Sequence, residues 1–368
     1  MPVAFPPSQT MRVGVVGLGW AGHAHLDAYS QLPNCQVVAL ADPDDERLQR
    51  TGETYGITDL YPDYQTLVGR TDIDAVSVTV PNFLHAPVAI AALTSGKHVL
   101  CEKPLARSGP EGETMVEAAS KAGRVLKVVF NHRARPDVAA LKAFMQSGGL
   151  GRVYRANAYW LRRNGIPGLG SWFTNKEMAG GGPLIDLGVH VLDMALYLLD
   201  EPEIVSVSAT TYSELGPRGR GGSGADKMMV GSDFQVEDLA TAFMRLSDGA
   251  TLTLETSWAT YRRSDDEFGV LLYGTEGGAE IRVANYVREN TLRIYLDVAD
   301  LPTDLAPHLP RTGGYGHAQV VREFVEVVQG DDWSSQDGRD ALYRSKIIDA
   351  CYLSALQARE IRLADLSK

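Results

Sequence analysis

The sequence predicts an α/β N-terminal domain with a parallel, doubly wound sheet, followed by an α+β C-terminal domain with an open-faced, mostly antiparallel sheet. Three observations carry this. At about 150 residues per domain, a chain of 368 residues divides naturally in two. From Met11 to Phe130, short apolar runs alternate with longer amphipathic ones, the pattern of parallel strands covered by helices on both faces. Beyond Phe130 the runs have period two and are joined by "SDGA" and "GTEGGA" turns, the pattern of antiparallel strands.

In the first domain "MRVGVVG", "QVVALAD", "DAVSVTV", "KHVLCEK" and "VLKVVF" read as strands. Between them lie helices near 22–32, over "DDERLQRTGETYG", over "APVAIAALTSG" with Gly96 as its stop, and over "EGETMVEAASKAG" with Gly123 as its stop. In the second, "VAALKAFMQSGG" reads as a helix and "VYRANAYWLRR" as a half-exposed strand. "GGGPLIDLGVHVLDM", from Gly180 to Met194, continues as a helix to about Leu199, with the glycines giving close backbone approach over a ligand. Strands follow, then two amphipathic helices, "AQVVREFVEVVQG" and "GRDALYRSKIIDACYLSALQAR". The boundaries drawn are 1–133 for a nucleotide-binding domain and 134–368 for a substrate and oligomerisation domain, with a late helix free to pack back on the first. The glycine-rich stretch 214–233 reads as a mobile loop between strands.

Lys plus Arg number 35 and Asp plus Glu 46, a net charge of −11, with no basic block among aromatics. That argues against nucleic acid or a membrane surface as partner. No apolar stretch reaches the ~18 residues of a membrane span, and "MPVAFPPSQT" does not read as a secretory leader. Cys35, Cys101 and Cys351 are odd in number and far apart, which suits a reducing cytoplasm.

Chemistry first shows in "VGVVGLGWAGHAH", a G-x-G-x-x-G between a strand and a helix. Gly17 permits the tight turn, and Gly19 lets the main chain approach a pyrophosphate over the helix N-terminus with Trp20 and Ala21. Gly22 allows close helix packing. Asp42 ends the second strand, about 20 residues on, where its carboxylate would accept ribose hydroxyls and repel a 2′-phosphate. This is a Rossmann fingerprint and favours NAD, with NADP left open. No arginine stands immediately beside Asp42, Arg47 being the nearest.

Ligands of parallel sheets bind beyond the carboxyl ends of the strands. Pro81, Asn82 and His85 follow the third strand, and Glu102, Lys103 and Pro104 follow the fourth. Lys103 either serves the site or caps its strand and reaches solvent. On a continuous helix Asp186 and His190 stand one turn apart on one face. A neutral imidazole there can take an alcohol proton while a lysine near the reacting oxygen stabilises its charge, or the lysine can itself be the base. Asp193 reads better as a support. No HExxH or comparable cluster points to a metal.

Together, GLGWAG, "VPNFLH", "GKHVLCEKP", "GGGPLIDLGVHVLD" and "DGRDALYRSKIIDACYLSA" resemble the glucose–fructose oxidoreductase / inositol dehydrogenase / MocA (Gfo/Idh/MocA) family over nearly the whole chain. The resemblance implies NAD(P)-linked hydride transfer to or from a hydroxyl of a sugar, cyclitol or related polyol. It implies a homodimer or homotetramer formed through the C-terminal sheet. It makes Lys103, Asp186 and His190 the catalytic set and places Asn131 at the substrate. Arg163, Trp172 and Tyr315 are further candidates for a pocket of bidentate donors and aromatic walls. Two other readings are an NAD-retaining glycosidase or lyase that oxidises transiently, and a non-enzymatic NAD-binding sensor. The second has no use for a proton-transfer set.

Overall fold

A computed structural model describes residues 10–223, 233–310, 316–330 and 332–366. The chain forms two compact units, Met1–Asn131 with Gly314–Ser345, and His132–Gly313 with Lys346–Lys368.

In the first unit the elements run β1 (Met11–Val16), α1 (Trp20–Ser30), β2 (Cys35–Ala41), α2 (Asp45–Tyr55), β3 (Leu60–Tyr61), α3 (Tyr64–Val68), β4 (Ala75–Val78), α4 (Asn82–Thr94), β5 (His98–Cys101), α5 (Gly109–Ala122) and β6 (Leu126–Val128). The strands pair in parallel in the order β3-β2-β1-β4-β5-β6. β4 and β5 are buried along their whole length, as strands covered on both faces must be. Asp44, Asp63 and Ser108 cap α2, α3 and α5 by accepting main-chain N–H bonds. Connections leave β1 and β4 in opposite directions, so the crevice beyond their carboxyl ends is left for a ligand.

Residues 314–345 group with the first unit. The reason lies in the helix α9 (His317–Gln329). Its apolar stripe of Val320, Val321, Phe324, Val325 and Val328 is buried in one core with Leu26 and Tyr29 of α1. Exposing those side chains would cost about 1.5 to 3 kcal/mol each.

The second unit contains α6 (Pro136–Gln146), β7 (Val153–Arg162), α7 (Lys176–Ala179), α8 (Val189–Leu198), β8 (Ile204–Tyr212), β9 (Leu239–Leu246), β10 (Thr251–Ser257), β11 (Asp266–Gly274), β12 (Gly278–Ala284), β13 (Leu292–Val298) and β14 (Leu301–Leu305). The helix α10 (Arg339–Gln357) and β15 (Ile361–Arg362) close the chain. The nine strands lie in the order β14-β13-β12-β11-β7-β10-β9-β8-β15. Among the described residues only β7 and β10 of this sheet run parallel, and its other neighbouring strands pair antiparallel. Period two sorts the faces: Ala156, Ala158, Trp160, Leu252, Leu254, Phe268 and Val270 are buried on the side that α8 covers, while Phe243 and Glu255 face outward.

Two sequence expectations change here. The helix from Gly180 is not uniform: Leu184–Gly188 form a π-helical turn, and regular α-helix begins only at Val189. The glycine-rich stretch carries local structure within residues 214–223. Gly216–Arg218 form a 3₁₀ turn, and Ile166 bridges to Gly222; residues 224–232 lie outside the described residues. Among the described residues, no helix is long and apolar enough to cross a membrane.

Candidate active site

Three residues connect β1 to α1, and their geometry is that of a nucleotide turn. Gly17 has φ 91°, and a Cβ there would lie 2.6 Å from the Thr79 carbonyl oxygen. A Cβ on Gly22 would lie 2.2 Å from the carbonyl oxygen of Gly17, so the third glycine makes room for the turn itself. Around Gly19, by contrast, a Cβ would meet nothing within 4 Å, and no side chain caps α1. Uncapped first-turn N–H groups beside open space fit a pyrophosphate. Gly17→Ala should therefore cost about 2 kcal/mol in stability and weaken NAD binding; calorimetry and a cofactor titration on the same sample check both. Ala21 is half-buried, and Trp20 is 77% exposed with its ring edge-on to His317 at 5.2 Å.

Asp42 is buried at the end of β2. It accepts the N–H groups of Leu18 at 2.8 Å and Asp44 at 2.9 Å. Sequence distance misled on Arg47. From the first turn of α2 its guanidinium reaches Asp42 at 3.3 Å and Asp44 at 3.0 Å. Two carboxylates share that one cation, so local charge remains negative and still disfavours a 2′-phosphate.

Pro81 and Asn82 open α4, with Asn82 buried. Two of the expected cofactor residues also brace the protein around the strand ends. His85 lies with Nδ1 2.7 Å from the Pro104 carbonyl and Nε2 2.9 Å from that of Val80, which braces one strand-end loop against the other. Burial lowers its pKa, while the two carbonyls each call for a donor on the ring nitrogen that faces them. Glu102 receives His25 Nε2 at 3.2 Å and His317 Nε2 at 2.9 Å on one oxygen, and the Lys103 N–H at 3.1 Å on the other. Burial opposes its ionisation, but the bonds to His25 and His317 outweigh burial and hold the carboxyl well below its usual range. Lys103 is half-buried and precedes a cis peptide bond to Pro104.

The sequence gives no metal cluster, yet His25, Glu102 and His317 bring three ligand atoms within 4.8 Å of one another. Hydrogen bonding accounts for the approach. Both Nε2 atoms point at one Glu102 oxygen. His25 Nδ1 meets the Ser77 hydroxyl at 3.0 Å, and that hydroxyl meets Tyr29 at 2.9 Å. With Nε2–H tautomers, each of these groups finds a donor or acceptor within the network.

In the second unit, His190 is 8% exposed and packs against His132 and Trp160, with ring centroids 4.9 and 5.4 Å away. Asp186 stands in the π turn, where its carboxylate accepts the indole N–H of Trp258 at 2.9 Å. π turns interrupt the regular ladder and recur at functional sites. Asp193 is fully buried and held by Arg133 through bonds of 2.8 and 2.5 Å, consistent with support rather than chemistry.

The neighbouring Arg162 and Arg163 face different surroundings. Arg163 is exposed and donates to the Arg262 carbonyl at 3.2 Å. Arg162 turns inward, bonding Asp266 at 2.8 Å and the Tyr286 hydroxyl at 3.0 Å, while Trp160 donates to the same Asp266 at 2.8 Å. Strand alternation explains the difference: β7 ends at Arg162, and Arg163 points to the other side. Trp172 stacks on Phe173 at 3.8 Å in a short 3₁₀ turn. In the first unit, Asn131 has a buried amide oxygen with no hydrogen-bond partner among the described residues. Such an atom is costly unless a ligand donor meets it. Tyr315 lies outside the described residues.

The glycines of "GGGP" have a different use from the one expected. A Cβ on Gly181 would fall 2.0 Å from the Tyr352 hydroxyl, and one on Gly182 would fall 2.1 Å from the Glu237 carbonyl oxygen. They admit protein neighbours. Glu237, Trp258 and His132 were not selected from sequence as site residues. The available signal was weak: His132 adjoins Asn131, and a buried tryptophan N–H needs an acceptor.

A nucleotide turn in one unit and an acid–imidazole segment in the other agree with what the chain is similar to. The model "Oxidoreductase family, NAD-binding Rossmann fold" matches residues 11–130, and "GFO/IDH/MocA C-terminal domain" matches residues 138–280. D-glucoside 3-dehydrogenase of Escherichia coli (strain K12) is 31% identical over 97% of this chain and 98% of its own length. Levoglucosan dehydrogenase of Pseudarthrobacter phenanthrenivorans is 32% identical over 78% of this chain and 76% of its own. A solved levoglucosan dehydrogenase in complex with NADH and levoglucosan superposes with TM-score 0.83 and 28% identity, covering 96% of this chain and 100% of that one. The turn, the acid ending β2, both matched domains and full-length relatives converge, and the chain belongs to the Gfo/Idh/MocA oxidoreductase family, with its NAD-binding Rossmann fold.

Proposed function

We propose that the chain catalyses NAD-linked oxidation or reduction at a hydroxyl-bearing carbon of a sugar or related cyclic polyol. The supporting observation is the pairing of a buried imidazole, His190, with a segment whose carboxylate, Asp186, is fixed by a tryptophan N–H. Relatives named for glucosides, levoglucosan and myo-inositol support the substrate class. NAD supplies the hydride acceptor when bound. The residues fitted to hold it are Gly17, Gly19, Trp20, Ala21 and Gly22 at the turn, Asp42 at the ribose, and the Pro81–Asn82 loop.

His190 takes the proton of the reacting hydroxyl, and Asp186 orients that hydroxyl and favours the charged ring that forms. Lys103 opposes the negative charge that develops on the oxygen. Trp160 supplies an apolar ring of the kind that covers a sugar face, and Arg162 supplies charge beside it. Asn131 accepts from a ligand hydroxyl. The three cysteines are all buried and free, which fits a reducing cytoplasm.

Cofactor choice follows from Asp42. Asp42→Ala is expected to lower the NAD preference over NADP by about tenfold, read as the ratio of kcat/KM values. An unchanged ratio would remove Asp42 from the ribose site. Self-association is assigned to the outward face of the sheet, where Phe243, Thr241, Thr253 and Glu255 line an open groove. Phe243→Glu should lower the mass seen by light scattering if copies meet there.

A further inference from the structure

Glu237, two residues before β9, is 7% exposed and takes no part in the chemistry above. Its Oε2 accepts the Gly182 N–H at 3.0 Å. Its Oε1 accepts the Leu184 N–H at 3.1 Å and the Tyr352 hydroxyl at 2.9 Å. Pro183, between the two backbone donors, has no N–H, so one carboxylate collects both main-chain donors that flank it. The glycines complete the fit. A side chain at 181 would strike the Tyr352 hydroxyl, and one at 182 would strike Glu237 itself.

The neighbouring acid secures the same segment from another direction. Asp238 accepts the N–H groups of Glu214, Leu215 and Gly216 at 2.8, 2.6 and 2.9 Å. Its carbonyl accepts the Trp258 N–H at 3.0 Å, and the Trp258 indole holds Asp186. The segment from Gly182 to Asp186 is thus tied at its entry by Glu237 and at its acid by Trp258.

We infer that Glu237 is a positioning residue, whose carboxylate fixes the entry of the segment carrying Asp186 and His190 and so sets their orientation toward the reacting hydroxyl. The inference rests on the function proposed above. A buried carboxylate is costly unless its oxygens are met by donors. Three donors meet this one, two of them where the π turn begins. A glutamine at 237 keeps the shape but turns an NH₂ group toward a main-chain N–H, so donor faces donor.

The test combines Glu237→Gln and Tyr352→Phe with hydrogen–deuterium exchange over residues 180–190 and steady-state kinetics on levoglucosan and methyl D-glucoside. In Glu237→Gln, exchange of that segment is expected to rise about tenfold. The kcat falls roughly tenfold or more, while KM for NAD stays within about twofold. Tyr352→Phe moves both quantities the same way by less, and it leaves the carboxylate in place should Glu237→Gln fold poorly. Unchanged exchange, or normal kcat with only a lower melting temperature, overturns the inference. If the wild-type protein turns over no member of a panel of glucosides, levoglucosan and inositols, the proposed function is what fails, and the exchange result still decides whether Glu237 holds the segment.

Discussion

His190→Ala is expected to lower kcat by about 10³-fold, within the range that general acid–base groups supply, while the dissociation constant for NAD stays within about twofold. The asymmetry is the informative part. The nucleotide turn and Asp42 belong to the first unit, whereas His190 belongs to the second and packs against His132 and Trp160. Truncation should therefore remove proton transfer and leave cofactor binding. Asp186→Asn should be milder, because Asn can still accept the Trp258 N–H through its amide oxygen while losing the charge that favours a protonated ring. Stopped-flow kinetics and a fluorescence titration of NAD separate the two quantities. Loss of both together would mean that His190 supports the fold rather than the reaction.

The second large effect is on stability. Glu102→Gln should destabilise the protein by about 3 kcal/mol near neutral pH, because one Glu102 oxygen meets both His25 and His317 and the other accepts the Lys103 N–H. The pH dependence has a definite sign. The folded carboxyl ionises at lower pH than its ordinary value of 4.5, so the folded state favours the charged form. Its contribution is fully present above pH 4.5 and is lost as the pH falls through the depressed folded value. Urea unfolding of both proteins from neutral to acid pH checks this. The stability gap should be widest at neutral pH and close on acidification; a gap that widens toward acid would reverse the assignment.

These residues also mark what could be read from the sequence. The turn at Gly17 was legible because its constraint is local: a positive φ and no room for a Cβ. Asp42 was legible because it ends a strand at a fixed distance from that turn. Strand periodicity placed both sheets. What escaped depends on partners far along the chain. Glu237 meets Gly182 across 55 positions, and Trp258 meets Asp186 across 72. No local pattern announces either. Helix α9 showed an apolar stripe, but a stripe says that a face is buried, not against which unit. The π turn at Leu184–Gly188 continues the apolar rhythm of the helix after it, so nothing local in the sequence separates the two. Arg162 and Arg163 illustrate the smallest ambiguity, in which one residue of strand register decides which of two identical side chains faces the core.

In the proposed reaction a sugar hydroxyl is oxidised with NAD by way of His190. The most direct measurement follows NADH absorbance with purified protein, NAD or NADP, and a panel of glucosides, levoglucosan and inositols. The expected result is net NADH accumulation with at least one member of the panel, stronger with NAD than with NADP, and nearly abolished by His190→Ala. No net NADH from any member, with cofactor retained on the protein, would contradict it.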